Sequence, residues 1–186
     1  MEWAFDGGRP CLDLVNTLRS RYAEGVELLT GPDALAEWLS LAGFTTGPVP
    51  VTAGNVLAAK ALREAVDRVL LADGLPAEMD VDLVNNAAAA APAPPPRLVT
   101  AGGRLRREVP AAKDPVAVAF AALAADAIDL AASDAAVRIC AADDCGIRFC
   151  DASPRRNRQW CSMARCGNRA KARAHYARVS GRDVQA

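Results

Sequence analysis

Four cysteines in the last quarter of the chain carry its most specific chemistry. Cys140 and Cys145 form one C-x4-C pair, Cys161 and Cys166 form a second, and fifteen residues separate the pairs. Two close pairs joined by a short spacer suit one tetrahedral Zn2+ with four thiolate ligands. Four cysteines can also hold an iron–sulfur cluster, but the ligand set and spacing favour zinc. A site closed by four thiolates has no open position for water, so it builds structure rather than catalysing hydrolysis. In so small a unit the metal would contribute on the order of 10 kcal/mol, which makes metal binding and folding one event.

Each pair can face one metal only if the chain between its members turns tightly. Ala141–Asp144 and Ser162–Arg165 supply small and polar residues there, and Gly146 follows the first pair. Ile147, Phe149 and Trp160 can cover the metal with apolar surface. Ser162 is a good N-cap for a helix over about 163–178, with Cys166 in its first turn. The positive end of that helix favours a negatively charged zinc–thiolate centre.

The charge is unevenly distributed. The 186 residues sum to a formal zero, but Arg138 to Ala186 hold eleven Lys/Arg against four Asp/Glu, a net +7, and residues 1–137 are net −7. At 100° per residue the 163–178 helix places Met163, Gly167, Ala170, Ala174 and Ala177 on one side. Arg165, Arg169 and Arg173, with Tyr176, form one flank; Lys171, His175 and Arg178 form the other. Arg155, Arg156 and Arg158 add a basic loop beside the metal. A helix with a small apolar back and basic flanks suits a nucleic-acid groove. Few stacking aromatics accompany it, which favours DNA over RNA. The competing reading is a zinc-stabilised protein–protein adaptor, whose arginines pair with carboxylates instead.

Several motifs together resemble known families. Arg138-Ile-Cys140, Asp144-Cys145-Gly146, Arg158-Gln-Trp-Cys161-Ser-Met163 and Cys166-Gly-Asn-Arg169-Ala-Lys171 resemble the CGNR zinc finger. Phe5-Asp-Gly-Gly-Arg-Pro10-Cys-Leu-Asp13-Leu-Val-Asn16-Thr17 is similar to the opening of the ABATE domain that usually precedes it. Cys150 stands where the pattern leads one to expect an apolar residue such as leucine. The resemblance implies a mostly helical N-terminal domain and a role as a stress-related bacterial transcription regulator.

The elements that must carry these residues read as mainly helical. Hydrophobic residues make up 52 % of the chain, much of it alanine, and aromatics only 5 %. Helices are expected over about 10–22, from Pro32 to Gly43 with Leu35, Trp38, Leu39 and Ala42 inward, over 52–73, from near Pro76 to 91, and over 115–133. For the last, Val118, Ala122 or Ala125, and Ile128 or Ala132 are expected inward. Gly102-Gly103 between short β-capable runs predicts a hairpin over 97–109. The reading is therefore a helical domain over 1–134 with a small hairpin, followed by a four-cysteine zinc module over 135–186 that ends in a helix.

The remaining candidates are weaker. Arg9, Asp13 and Asn16 at the first helix could line a small-molecule effector pocket; alternatively Asp13, Asn16 and Thr17 anchor neighbouring loops by hydrogen bonds. Cys11 reads as a buried, inert thiol. His175 is the only histidine, and no nucleophile–base arrangement points to hydrolysis. Met1–Pro10 is too short and too charged for a signal peptide, and no apolar run is long enough to span a membrane. Metal-binding thiols must stay reduced, which suits the cytoplasm. The N-terminal domain would sense a ligand or form a homodimer.

Overall fold

The structure is a computed structural model that describes residues 3–22 and 24–180; for residues 174, 175 and 177–180 it describes the backbone alone. Helix α1 (Pro10–Val15) starts on Pro10 after an extended Arg9. It is shorter than the expected 10–22 because Asn16 caps it and the Thr17 hydroxyl donates to the Leu14 carbonyl at 2.7 Å. The chain then forms a short antiparallel pair, β1 (Leu18–Arg19) with β2 (Val26–Glu27).

Helix α2 (Pro32–Leu41) also opens on a proline and buries Leu35, Trp38 and Leu39. Gly43 follows at φ +81°, a left-handed conformation that favours glycine. Helix α3 (Ala53–Leu70) begins with a capping box: the Thr52 hydroxyl accepts the Asn55 N–H, and the Asn55 carboxamide accepts the Thr52 N–H. Helix α4 (Glu78–Ala90) runs into the proline-rich stretch. Strands β3 (Arg97–Ala101) and β4 (Arg104–Glu108) form the expected hairpin, with Gly102 and Gly103 at φ +60° and +70°.

Helix α5 (Pro115–Ala131) is capped by the Asp114 carboxylate, which accepts the Ala117 N–H at 2.9 Å. Its buried stripe is Val116, Phe120, Leu123, Ala127 and Leu130, so the expected inward set of Val118, Ala122 or Ala125, and Ile128 or Ala132 is corrected. Ile128 is exposed. This helix is apolar almost all round, so its periodicity does not fix a phase; the bulkier Phe120, Leu123 and Leu130 set it by packing.

Strands β5 (Ala136–Ile139) and β6 (Arg148–Asp151) pair antiparallel, from Ala136 opposite Asp151 to Ile139 opposite Arg148. The C-terminal helix opens as a wide π-helical turn, Met163–Gly167, and continues as α6 (Asn168–Ser180).

The chain divides into two compact units. Residues 29–133 form one, containing α2 to α5 and the β3–β4 hairpin. The other joins residues 1–28 to residues 134–186, so the N-terminal segment folds with the cysteine module rather than with the helices that follow it. In this second unit one apolar cluster gathers Ala4, Ile147, Phe149 and the four motif cysteines, with Ala142 and Trp160 packed against it, and α1 buries Cys11, Leu12, Leu14 and Val15. Among the described residues no helix is long and apolar enough to cross a membrane.

Candidate metal centre and basic surface

The metal centre is assembled by the β5–β6 hairpin and the π-helical turn. Cys140 directly follows β5, with its N–H on the Ile147 carbonyl at 2.8 Å, and Cys145 closes the turn, with its N–H on the Ala142 carbonyl at 3.0 Å. Cys166 lies in the π-helical turn, where its N–H and that of Gly167 both bond to the Ser162 carbonyl at 3.0 Å. The Ser162 hydroxyl accepts the Arg165 N–H at 3.4 Å. Gly167 leaves room for this widened turn: a Cβ there would lie 2.5 Å from Met163 Sδ and 3.3 Å from Trp160 Cδ1.

All four sulfurs lie within 4.8 Å of one another and all four cysteines are buried. Cys161 Sγ is 3.7 Å from Cys145 Sγ and 3.7 Å from Cys166 Sγ, far beyond a disulfide bond. Sulfurs on an ideal zinc tetrahedron with bonds of about 2.3 Å lie about 3.8 Å apart. The residues therefore fit a tetrahedral zinc.

Electrostatics make the same case. The Cys145 thiol is lowered to about 5, chiefly by the hydrogen bond from Cys161. That bond, burial and the Cys145 charge push Cys161 far upward, and burial first of all pushes Cys166 up to about 11. Four sulfurs this close cannot all ionise beside one another, and a dication removes the conflict. Donors already point at the sulfurs: the Cys161 N–H lies 3.4 Å from Cys140 Sγ, and an Arg169 guanidinium nitrogen lies 3.5 Å from Cys166 Sγ. Such contacts orient ligands and offset the net −2 of a zinc tetrathiolate.

Polar contacts tie the surrounding chain to this centre. Buried Asn16 uses both ends of its carboxamide on Arg148, donating to its carbonyl at 2.9 Å and accepting its N–H at 2.8 Å. The Gly7 carbonyl accepts the Cys150 N–H at 2.8 Å, and Asp13 Oδ1 accepts the Gly7 N–H at 2.9 Å. The Arg9 carbonyl accepts the N–H groups of Leu12 and Asp13. Asp13 and Asn16 thus tie the N-terminal segment to itself and to β6 by hydrogen bonds. Buried Asp151 accepts N–H groups from Ser153 at 3.0 Å and Arg158 at 2.9 Å and pairs with Arg138 at 3.1 Å. Ser153 first of all, then Arg158 and Arg138, hold its carboxyl at about 2.

The basic residues divide into two groups. Arg165 pairs with Asp6 at 2.9 Å, and Arg169 and Arg173 both reach Asp144, at 2.8 and 3.3 Å. Arg158 donates to the carbonyls of Trp160 and Cys161, and its guanidinium sits 4.7 Å from the centre of the Phe149 ring. Arg155, Arg156 and Lys171 are exposed and form no ion pair among the described residues. The side chains of Arg178 and His175 lie outside the described residues. Sequence reasoning missed the acceptors, Asp6, Asp144 and Asp151, because an isolated carboxylate carries no periodic signal. It also placed no strand over 136–139 or 148–151.

Residues 8–134 match the ABATE family, described as "putative stress-induced transcription regulator". That segment is more than half of the chain. The chain belongs to the ABATE family. Residues 136–179 match the CGNR zinc finger, which makes the four-cysteine cluster a zinc site by family as well as by geometry. Neither is a family of enzymes. Comparison with curated proteins finds no match. The start of the ABATE segment, residues 8–28, shares its compact unit with the CGNR finger.

Proposed function

We propose that this ABATE-family chain is a zinc-dependent DNA-binding protein that regulates transcription. In this reading zinc is structural: it fixes the loop 152–160 and the start of the last helix so that cations face outward together. The observation that carries the reading is the set of exposed cations of the cysteine unit, Arg155, Arg156 and Lys171, which form no ion pair among the described residues. Long cations held out on a rigid frame are what phosphate contact requires. The domain rich in helices then senses a small effector or brings two copies together, and the reduced thiols suit a cytoplasmic setting.

The arginines paired with Asp6 and Asp144 are poor subjects for a test, because their loss would disturb the finger itself. The test is binding of the zinc-loaded full chain to a random duplex pool across a salt series. Three phosphate contacts predict a log–log salt slope of about −3. Replacing Arg155, Arg156 and Lys171 together with alanine should flatten that slope and keep zinc stoichiometric. No affinity at low salt, or an unchanged slope in the variant, defeats the reading.

One observation favours a second reading. Arg165, Arg169 and Arg173 pair with carboxylates, which is how a basic surface engages acidic protein segments. A zinc-stabilised adaptor would bind no duplex at any salt concentration.

A further inference from the structure

The β3–β4 hairpin stands apart from the rest of its unit. Its strands pair with each other over five residues each, and neither packs extensively on a helix. A lone two-stranded ribbon is marginally stable in water, so apolar surface left open on it is unfavourable. Opposed residues share a face, which puts Leu98, Thr100, Leu105 and Arg107 on one side. All four are exposed, Leu98 at 72 % and Leu105 at 71 %. The hairpin is also cationic. Arg97 pairs with Glu108 at 3.0 Å, whereas Arg104, Arg106 and Arg107 form no ion pair among the described residues.

A complementary surface lies in the same unit. Residues 73–82 carry Asp73, Glu78, Asp80 and Asp82 and no Lys or Arg. Asp80 is taken by Arg68; the other three carboxylates are exposed and unpaired among the described residues. Glu78, Met79 and Asp82 lie on the side of α4 away from buried Asp80 and Val84. Leu75 is 97 % exposed and Met79 76 %. Three unpaired carboxylates around two open apolar side chains thus mirror three unpaired guanidinium groups around two open leucines.

One copy does not bring these surfaces together. Ala58, Ala90 and Ala117 line one groove between the helices, and Val69, Pro76 and Ala131 line another. The end of α4 and the start of α5, to which the hairpin is joined, therefore lie at one end of the helices. Residues 73–82 lie at the other, about 20 Å away along α4. Duplex DNA would meet the same arginines, but it offers nothing to Leu98 and Leu105, and the acidic end would repel it.

We propose that the β3–β4 hairpin of one chain docks on residues 73–82 of a second copy, forming a closed two-fold dimer. Two copies running antiparallel make this contact twice, and neither surface is left over. Each contact has an apolar centre ringed by ion pairs, which salt screens. This gives the two-copy half of the proposed function its surface. Its measurement contains no DNA, so it stands or fails apart from DNA binding.

Sedimentation of the zinc-loaded full chain over a range of concentrations should show a dimer that weakens as salt rises. Arg104→Glu with Arg106→Glu and Arg107→Glu should weaken it about a hundredfold or more, and so should Asp73→Lys with Glu78→Lys and Asp82→Lys. Mixed in equal amounts, the two variants should form a one-to-one heterodimer, because each contact then joins two native or two reversed surfaces. Leu98→Ser with Leu105→Ser changes exposed positions only and should weaken the native dimer about tenfold or more, with circular dichroism and zinc content unchanged. A chain that stays monomeric throughout, leaving the hairpin to duplex DNA or another protein, overturns the proposal. So does assembly beyond two copies, a dimer unmoved by reversing either surface, or a mixture that stays monomeric.

Discussion

The two compact units solve the same problem with opposite means. Residues 29–133 bury an apolar face: α3, α4 and α5 meet through Val56, Leu62, Val66, Val84, Phe120 and Leu123. The cysteine unit builds the surroundings of its four sulfurs differently. Around the metal site its core is four thiols, Ile147, Phe149 and Ala4, with Leu12, Leu14 and Val15 of α1 buried in the same unit, and polar cross-links add to them: Asn16 on Arg148, Arg165 on Asp6, Arg169 on Asp144, Arg158 on the Cys161 carbonyl. Area burial tolerates sliding and substitution. Metal coordination and buried hydrogen bonds fix positions.

The sharpest way to break the comparison is to remove the metal. Chelation, or Cys161→Ser, should unfold the cysteine unit, at a loss on the order of 10 kcal/mol, while the helical signal of residues 29–133 persists. Residues 3–28 should lose protection from hydrogen exchange along with residues 134–180, since they share that unit; protection retained at Leu12 and Leu14 would refute the shared fold. Next in size, Leu123→Ala removes a fully buried side chain from α5 and should destabilise residues 29–133 by about 2–5 kcal/mol. Zinc content should stay at one per chain, as read by elemental analysis.

Asn16→Ala tests the polar side of the contrast. It leaves the Arg148 N–H and carbonyl without their partner and should destabilise the cysteine unit by about 1–3 kcal/mol. A chelator titration should then release zinc earlier, whereas thermal unfolding of residues 29–133 should not move. The smallest expected effect concerns acid. Asp80 accepts two hydrogen bonds from Arg68, and those bonds hold its carboxyl below the ordinary carboxylate value. A depressed folded-state pKa gives stability that is present above the ordinary value of about 3.9 and is lost as pH falls below it. Asp80→Asn should therefore lower the Tm of residues 29–133 at pH 7, and the gap from the native chain should close as pH drops below about 4. The cysteine unit should fail at higher pH, because protonated thiols release the metal.

Much of this was legible in the sequence for identifiable reasons. Local signals are complete within a few residues: Pro32 and Pro115 at helix starts, Thr52 with Asn55, Gly102-Gly103 in a hairpin, two C-x4-C pairs. Where a segment was uniform the signal vanished. Helix α5 is nearly all apolar, so its inward face was misassigned, and only the packing of Phe120, Leu123 and Leu130 resolves it. Helix α1 was read too long because nothing local to Asn16 shows that its carboxamide is taken by the backbone of Arg148, 132 residues away.

By itself the sequence determined the metal, its four ligands and the helical character of the chain, because ligand type, spacing and capping are short-range chemistry. The tertiary structure alone decided which residues fold together and which cations are paired. Residues 1–28 join the zinc finger, and Asp6 and Asp144 take up Arg165, Arg169 and Arg173 while Arg155, Arg156 and Lys171 stay exposed. Ion pairs and compact units depend on contacts between residues distant in the chain, and no local pattern encodes a partner that lies more than a hundred residues away.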